Sequence, residues 1–216
     1  MKRIVYLLML AVVAAVLAAP VAAETPNLGA SAAYITTAPV IDGVLNDAAW
    51  LTASQMGAKL VVDQDNMGVQ IGNTPRVAYL AYDDYNLYVG ILMPSADTSK
   101  LVTTAGSFWN NDEIEVFLEC RDLLKYFKVT VDAGGALYED MGKGEAYAAV
   151  GLNANSWVVE LVMPFSTLGR APKAGDVWGL NICGHQVADG DMWITWNPTY
   201  GGFNNPARFG DLVFLP

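Results

Sequence analysis

The feature that most constrains the fold is a series of short segments rich in valine, isoleucine, leucine and aromatic residues, separated by turn-forming residues. Two of them, 76–83 and 86–93, are separated only by Asp84 and Tyr85, which predicts a β-hairpin. Similar segments recur at regular intervals to the end of the 216-residue chain. This pattern predicts an all-β fold, an antiparallel β-sandwich of two jelly-roll-like sheets in one domain spanning residues 34–216.

A second hairpin is predicted from segments 113–120 and 125–132, in which polar and apolar residues alternate on either side of a short connection. Antiparallel pairing across this connection places Glu115 and Lys128 as diagonal neighbours on one face of the sheet. Ile114 and the apolar residues that alternate with Glu115 lie on the other face, which we expect to pack against the core.

Helical signals are few, and the clearest is segment 46–53, NDAAWLTA. Asn46 or Asp47 can cap its start, and good helix formers follow, which predicts one short helix near the N-terminus of the domain. Trp50 within this segment is expected to be a large apolar side chain that is buried against the rest of the fold. Segment 164–169 predicts a single helical turn.

The N-terminal segment, residues 1–23, has the composition of a secretory signal peptide. Lys2 and Arg3 precede an uncharged apolar run, and small residues follow at 21–23. The apolar run is shorter than the roughly 20 residues that a spanning helix needs, so we expect cleavage rather than a membrane anchor. The sequence therefore predicts a secreted or periplasmic protein without stable membrane insertion, in which residues 24–33 form a flexible leader.

The chain is acidic, with 22 aspartate and glutamate residues against 12 lysine and arginine residues, and a net charge of −10 at pH 7. A protein of this charge repels phosphate backbones and anionic membrane surfaces. Nucleic acid is therefore not expected as a partner, whereas neutral ligands and metal cations are compatible with the charge.

The two cysteines, Cys120 and Cys183, invite a disulfide in an exported protein. Alternation along their segments places Cys120 on the face of Leu118, whereas Cys183 lies opposite to Leu180 and Ile182. If the apolar residues face the core, the two thiols lie on opposite faces, and a disulfide would require a bulge.

Six segments occur in a recognisable order and at recognisable separations: VIDGVLNDAAW (40–50), AYDDYNLYVGI (81–91), WNNDEIEVFL (109–118), WVVELVMPFSTLG (157–169), DVWGLNI (176–182) and NNPARFGDLVF (204–214). In this combination they resemble the family 9 carbohydrate-binding modules and their wider DOMON-like β-sandwich superfamily. The resemblance covers about residues 36–216, which is essentially the whole predicted domain.

The resemblance implies a secreted, non-catalytic carbohydrate-binding module that holds a unit of a poly- or oligosaccharide between two aromatic rings. Trp109 and Phe203 stand at the positions that match these rings. Aromatic faces suit the C–H surface of a pyranose, while the sugar hydroxyls point to polar groups. Glu115 and Lys128 match polar contact positions of the family, which agrees with their predicted placement on one face.

Other positions depart from the family pattern. Cys183 stands where a polar amide helps to hold the sugar, and Gly201 and Gly202 stand where further amides would be supplied. Phe203 replaces a ring that is often tryptophan. These differences predict either a different glycan or weaker binding than is usual for the family.

One alternative to sugar binding is a glycan-processing enzyme. Its paired carboxylates would have to face each other across a cleft. Glu113 and Glu119 are expected to be solvated charges on one strand, and Asp112 is expected to close a turn at the strand start. No catalytic residues are therefore predicted.

The other alternative is a haem b-binding electron-transfer domain of the same superfamily. His185 is the only histidine of the chain, which excludes a zinc site with several histidines. It could be an axial haem ligand together with Met163 or Met192.

Structural calcium is compatible with the resemblance, because family members often carry it, but no metal ligands are predicted. Segment 63–68, DQDNMG, resembles the start of a calcium loop, yet Met67 and Thr74 occupy positions where ligands belong. Asp83 and Asp84 flank a tight turn and are expected to serve that turn.

Overall fold

The computed structural model describes residues 26–72, 74–104 and 107–216. The predicted signal peptide, residues 1–23, lies outside these residues. The described part contains a single α-helix, α1 (Ala48–Gln55), and otherwise consists of strands, turns and short 3-10 helices. Within the same ranges, no helix has the length and apolar character needed to cross a lipid bilayer.

The described residues form twelve strands in one continuous ladder. The strands are β1 (Gly29–Tyr34), β2 (Lys59–Val62), β3 (Arg76–Tyr82), β4 (Asn86–Pro94), β5 (Glu113–Cys120), β6 (Lys125–Asp132), β7 (Leu137–Asp140), β8 (Tyr147–Asn153), β9 (Ser156–Pro164), β10 (Val177–Gln186), β11 (Met192–Thr195) and β12 (Gly210–Phe214). Their order along the ladder is β7-β6-β5-β10-β12-β1-β3-β4-β9-β8, with β11 added on β10 and β2 added on β3. The predicted all-β fold with one short helix is confirmed, although the strands form one nearly closed, barrel-like ladder rather than two clearly separate sheets.

Strand β1 joins the two halves of this ladder. Its residues 29–32 pair in parallel with β12, and residues 33–34 pair in parallel with β3. The fold thus begins inside the segment 24–33 that was predicted to be a flexible leader, and the structure corrects that prediction for the strand residues. The strand sequence GASAAY has few of the branched and aromatic residues that mark a strand. It forms a strand because neighbours on both sides supply backbone hydrogen-bond partners.

Both predicted hairpins are present. β3 pairs antiparallel with β4, and β5 pairs antiparallel with β6. In the second pair Glu115 lies opposite Thr130, and Phe117 lies opposite Lys128. This register confirms that Glu115 and Lys128 are diagonal neighbours on one face, as the short connection between the strands predicted.

The main hydrophobic core is formed by alternating side chains of nearly every strand. Cys120 belongs to this core, whereas Cys183 packs with Phe117 and Phe209 in a separate small cluster. Both thiols are free and buried. Their membership of different clusters confirms their predicted placement on opposite faces. The largest fully buried side chains of the core include Trp157, Trp178, Phe127, Phe165 and Phe214.

Helix α1 packs against β3, β4 and β9 through a second cluster that includes Trp50, Tyr88 and Val162. Trp50 is buried as predicted, and its Nε1 donates a 2.7 Å hydrogen bond to Oε1 of Glu160. Glu160 is fully buried on β9, and its Oε2 also accepts hydrogen bonds from the backbone N–H groups of residues 42–44. One carboxylate therefore attaches the helix and the turn before it to the sheet.

Candidate functional site

A buried ion pair lies on the face of β5 and β6 that points away from the main core. Glu115 Oε2 and Lys128 Nζ are 2.8 Å apart, and the two side chains are only 5% and 3% exposed. The sequence predicted that these residues would be neighbours, but it did not predict their burial. Because little water reaches the pair, the attraction between the two charges is stronger than it would be on the surface.

The indole of Trp109 covers this pair. Trp109 lies in a 3-10 turn, Phe108–Asn110, shortly before β5, and its ring centroid is 4.8 Å from Lys128 Nζ. The side chain is 44% exposed and contacts the ring of Tyr138 on β7 edge-on, with 6.2 Å between the centroids. The structure thus brings together three residues of the predicted site, with an accessible aromatic ring above a buried cation.

Glu113, which was predicted to be a solvated charge, is completely buried on the same face as Glu115. Neither of its carboxylate oxygens accepts a hydrogen bond of normal geometry. Burial raises the pKa of Glu113 well above its usual value; the charge of Glu115 raises this pKa further, and that of Lys128 lowers it. The prediction was wrong because the outer face of β5 is covered at this end of the strand.

Replacing Glu113 with glutamine is expected to make stability less dependent on pH. In the unfolded chain this carboxyl group loses its proton near pH 4.5, whereas the folded protein keeps the proton to a higher pH. The folded state therefore binds more protons in this window, and its stability falls as the pH rises from 4.5 toward the raised pKa. Urea unfolding across this window should show a shallower fall for Glu113→Gln than for the wild type.

The control for this measurement is Glu145→Gln, which changes an exposed carboxylate and should keep the wild-type slope. If Glu113→Gln also keeps that slope, the Glu113 carboxyl group is already ionised in the folded protein at neutral pH.

Asp112, just before β5, connects two segments of the chain. Its Oδ2 accepts a 2.7 Å hydrogen bond from the N–H of Val102, and the N–H of Ala188 lies 3.2 Å from its Oδ1. Burial raises the pKa of Asp112 above its usual value. Asp112 was predicted to close a local turn. It instead connects the segment before β5 with the turn after β10.

His185 connects Trp109 to a second exposed tryptophan, Trp193. Its Nδ1 lies 2.8 Å from the Trp109 carbonyl oxygen, and its Nε2 lies 2.7 Å from Oδ1 of Asp191. The imidazole stacks on the indole of Trp193, with 3.9 Å between centroids and 8° between planes. Both nitrogens of the His185 ring therefore have partners, and one face of the ring is covered. Met163, a proposed second haem ligand, lies in the main core. This arrangement does not fit an axial haem ligand.

Phe203 lies at a cavity of about 330 Å³, and Trp109 is not among the residues that line it. The rings of Phe203 and Trp193 meet edge-on, with 5.7 Å between centroids and 68° between planes. Trp193 is 40% exposed, and sequence reasoning did not select it. The cavity is lined by Asn66, Trp193, Gly201, Gly202 and Phe203. The two predicted rings, Trp109 and Phe203, are thus linked through His185 and Trp193 rather than by direct contact.

The segment that resembles a calcium loop is stabilised by its own backbone. Oδ1 of Asp65 accepts hydrogen bonds from the N–H groups of Met67 and Val69, at 2.8 and 2.9 Å. Across the described residues, no group of three or more histidine, cysteine, aspartate or glutamate side chains is arranged to hold a metal ion. Asp83 accepts hydrogen bonds from the N–H groups of Tyr85 and Asn86, which confirms its predicted role in the turn.

Comparison with known proteins identifies the family. Residues 41–215 match the family described as "Carbohydrate family 9 binding domain-like". The chain belongs to this family. The family resemblance found in the sequence is therefore confirmed, and the match spans the fold from the turn before α1 to the end of β12. No curated protein matches the sequence.

Solved structures of family 9 modules share the fold at low sequence identity. A module from Caldicellulosiruptor kristjanssonii in complex with glucose superposes with a TM-score of 0.68 at 20% identity, over 86% of this chain and 95% of that chain. The same organism's module in complex with cellotriose gives a TM-score of 0.65 at 19% identity, over 87% and 93% of the two chains. A putative carbohydrate-binding protein from Bacteroides uniformis ATCC 8492 gives 0.62 at 14% identity, over 88% and 100%.

Proposed function

We propose that this protein is a non-catalytic carbohydrate-binding module. A sugar ring stacks on Trp109, and Glu115 and Lys128 form hydrogen bonds with its hydroxyls. The observation that carries the proposal is the accessible indole of Trp109, 4.8 Å above a buried Lys128 that is paired with Glu115. Membership of the family, whose modules from Caldicellulosiruptor kristjanssonii are described in complex with glucose and cellotriose, supports a saccharide ligand.

The chemistry of the two groups matches the two surfaces of a pyranose. The indole face suits the C–H surface of the sugar, through dispersion and burial of apolar area. Lys128 can donate to a hydroxyl oxygen, while Glu115 can accept from a hydroxyl proton, so a pair of neighbouring hydroxyls satisfies both charges. The pair is almost closed to solvent beneath the Trp109 ring, so a hydroxyl reaches it only when the indole moves aside.

The predicted signal peptide, residues 1–23, is consistent with this proposal, because extended glycans lie outside the cell. Export to the periplasm or the medium is part of the proposal and rests on the sequence of that segment. Detection of the mature chain in the culture medium or periplasmic fraction tests it, and retention of the uncleaved chain in the cytoplasm contradicts it.

Trp109→Ala is expected to weaken sugar binding at least about tenfold, because the stacking surface above Lys128 is lost. A glycan array on the wild type identifies ligands, and titration calorimetry with glucose and cellotriose compares the variants. Tyr147→Ala removes an exposed aromatic ring of β8 that neither contacts Trp109 nor lines the cavity at Phe203, and it should bind like the wild type.

Full affinity in Trp109→Ala would remove the stacking role from the proposal. Cleavage of an array glycan by the wild type, abolished by Glu115→Gln, would instead assign the protein to the glycan-processing enzymes.

A further inference from the structure

We propose that Trp193 is the platform of a second sugar subsite, which it forms together with Phe203 and Asn66. This inference rests on the proposed function and extends it. The ligand is a neutral oligosaccharide with one unit at Trp109 and a neighbouring unit at Trp193, rather than a single monosaccharide.

The indole of Trp193 is held in a fixed orientation. His185 covers one of its faces at 3.9 Å, so the exposed part of the ring is the opposite face and its edges. His185 is itself held by the Trp109 carbonyl and by Asp191, at 2.8 and 2.7 Å. A flat apolar surface that is fixed before binding loses little conformational entropy when a sugar stacks on it.

The cavity beside Trp193 has the volume for a pyranose and a polar side chain, Asn66, to bind it. Its volume of about 330 Å³ is at the lower end of the range for small-molecule sites. Phe203 closes one side, nearly perpendicular to the indole. Asn66 donates from Nδ2 to the carbonyl of Gly201 at 3.1 Å, which fixes its amide and leaves Oδ1 to accept a hydrogen bond from a sugar hydroxyl.

The glycines keep the opposite side of the cavity open. A Cβ atom added at Gly201 or Gly202 would meet no other atom within 4 Å. The position that lacks the amides of the family therefore leaves room for a second sugar unit. None of the residues that line the cavity is charged, and the net charge of −10 opposes anionic sugars. These features favour a neutral glycan.

The subsite is joined to the proposed primary site by a short chain of contacts. The Trp109 carbonyl bonds to His185, His185 stacks on Trp193, and Trp193 meets Phe203. Both aromatic platforms are thus positioned by the same histidine, which suits adjacent units of one oligosaccharide.

Titration calorimetry with glucose and cellotriose tests the subsite. The wild type should bind cellotriose about tenfold more tightly than glucose, and Trp193→Ala should lose this difference while its glucose affinity stays within about twofold. Gly202→Leu should have the same effect by filling the cavity, without removing any aromatic ring. Tyr147→Ala is the matched aromatic control and should keep the wild-type preference.

Four outcomes would overturn the inference. Equal affinity of the wild type for the two sugars, or cellotriose affinity unchanged by both Trp193→Ala and Gly202→Leu, leaves sugar binding intact but removes the second subsite. A parallel loss of glucose and cellotriose affinity in both variants places Trp193 in the primary site. If the wild type binds neither sugar and no glycan on the array, the proposed function itself fails.

Discussion

Glu160→Leu is expected to lower the free energy of unfolding by about 3–5 kcal/mol. The side chain is fully buried, and its two oxygens accept hydrogen bonds from Trp50 Nε1 and from the N–H groups of residues 42–44. Leucine has a similar size but no acceptor, so these donors would lose their partner while remaining wholly or partly buried. Denaturant unfolding, monitored by tryptophan fluorescence, measures the loss.

Two further variants separate the hydrogen bonds from the change of side chain. Glu160→Gln retains one acceptor oxygen and should fall between the wild type and Glu160→Leu. Glu145→Leu makes the same substitution at an exposed position and should change stability by less than about 1 kcal/mol. A small effect of Glu160→Leu would show that α1 and its preceding turn are held to the sheet by apolar packing alone.

Lys128→Met is expected to destabilise the protein by about 3–5 kcal/mol, because it leaves Glu115 buried without its counter-ion. Methionine preserves much of the length and apolar character of the lysine stem beneath Trp109, so the effect reports mainly on charge. Urea unfolding of the variant near neutral pH is the measurement.

An exposed ion pair supplies the control for this prediction. Lys100 and Asp97 are 3.7 Å apart, with side chains 73% and 45% exposed, so Lys100→Met should cost less than about 0.5 kcal/mol. Adding Glu115→Gln to Lys128→Met should restore much of the lost stability, because no uncompensated charge then remains from the pair. If the double variant is as unstable as Lys128→Met alone, the lost charge balance is not the cause of its instability.

The strand register of the candidate site followed directly from the sequence. Two alternating segments joined by a short connection allow one antiparallel pairing that keeps the apolar residues on one face, and this pairing places Glu115 beside Lys128. Side-chain parity also placed Cys120 and Cys183 on opposite faces. These predictions succeeded because the period of two in a strand is a local property of the chain.

Burial on the outer face could not be predicted in the same way. Alternation indicates which side a residue faces, but it does not indicate that Glu113, Glu115 and Lys128 are buried on that side. Next to this face, Asp112 joins the segment before β5 to the turn after β10 through backbone groups of Val102 and Ala188. No local pattern encodes those contacts.

The sequence around Trp193 and around Glu160 contains a pattern that indicates the position of each side chain. Trp193 alternates with the buried Ile194 in β11, so its parity already placed it on the outer face. Glu160 is the single acid in the apolar segment 157–163, a position where a buried carboxylate needs several donors. The donors themselves come from residues 42–44 and Trp50, and only the folded chain shows that they converge.

The parallel pairing of β1 with β12 has a mechanical consequence. Because the two strands run in the same direction, tension applied between Gly29 and Phe214 pulls them past each other along their length. The hydrogen bonds between them then bear the load together, in shear, instead of parting one after another. The fold is thereby suited to resist unfolding by a force applied along these two strands.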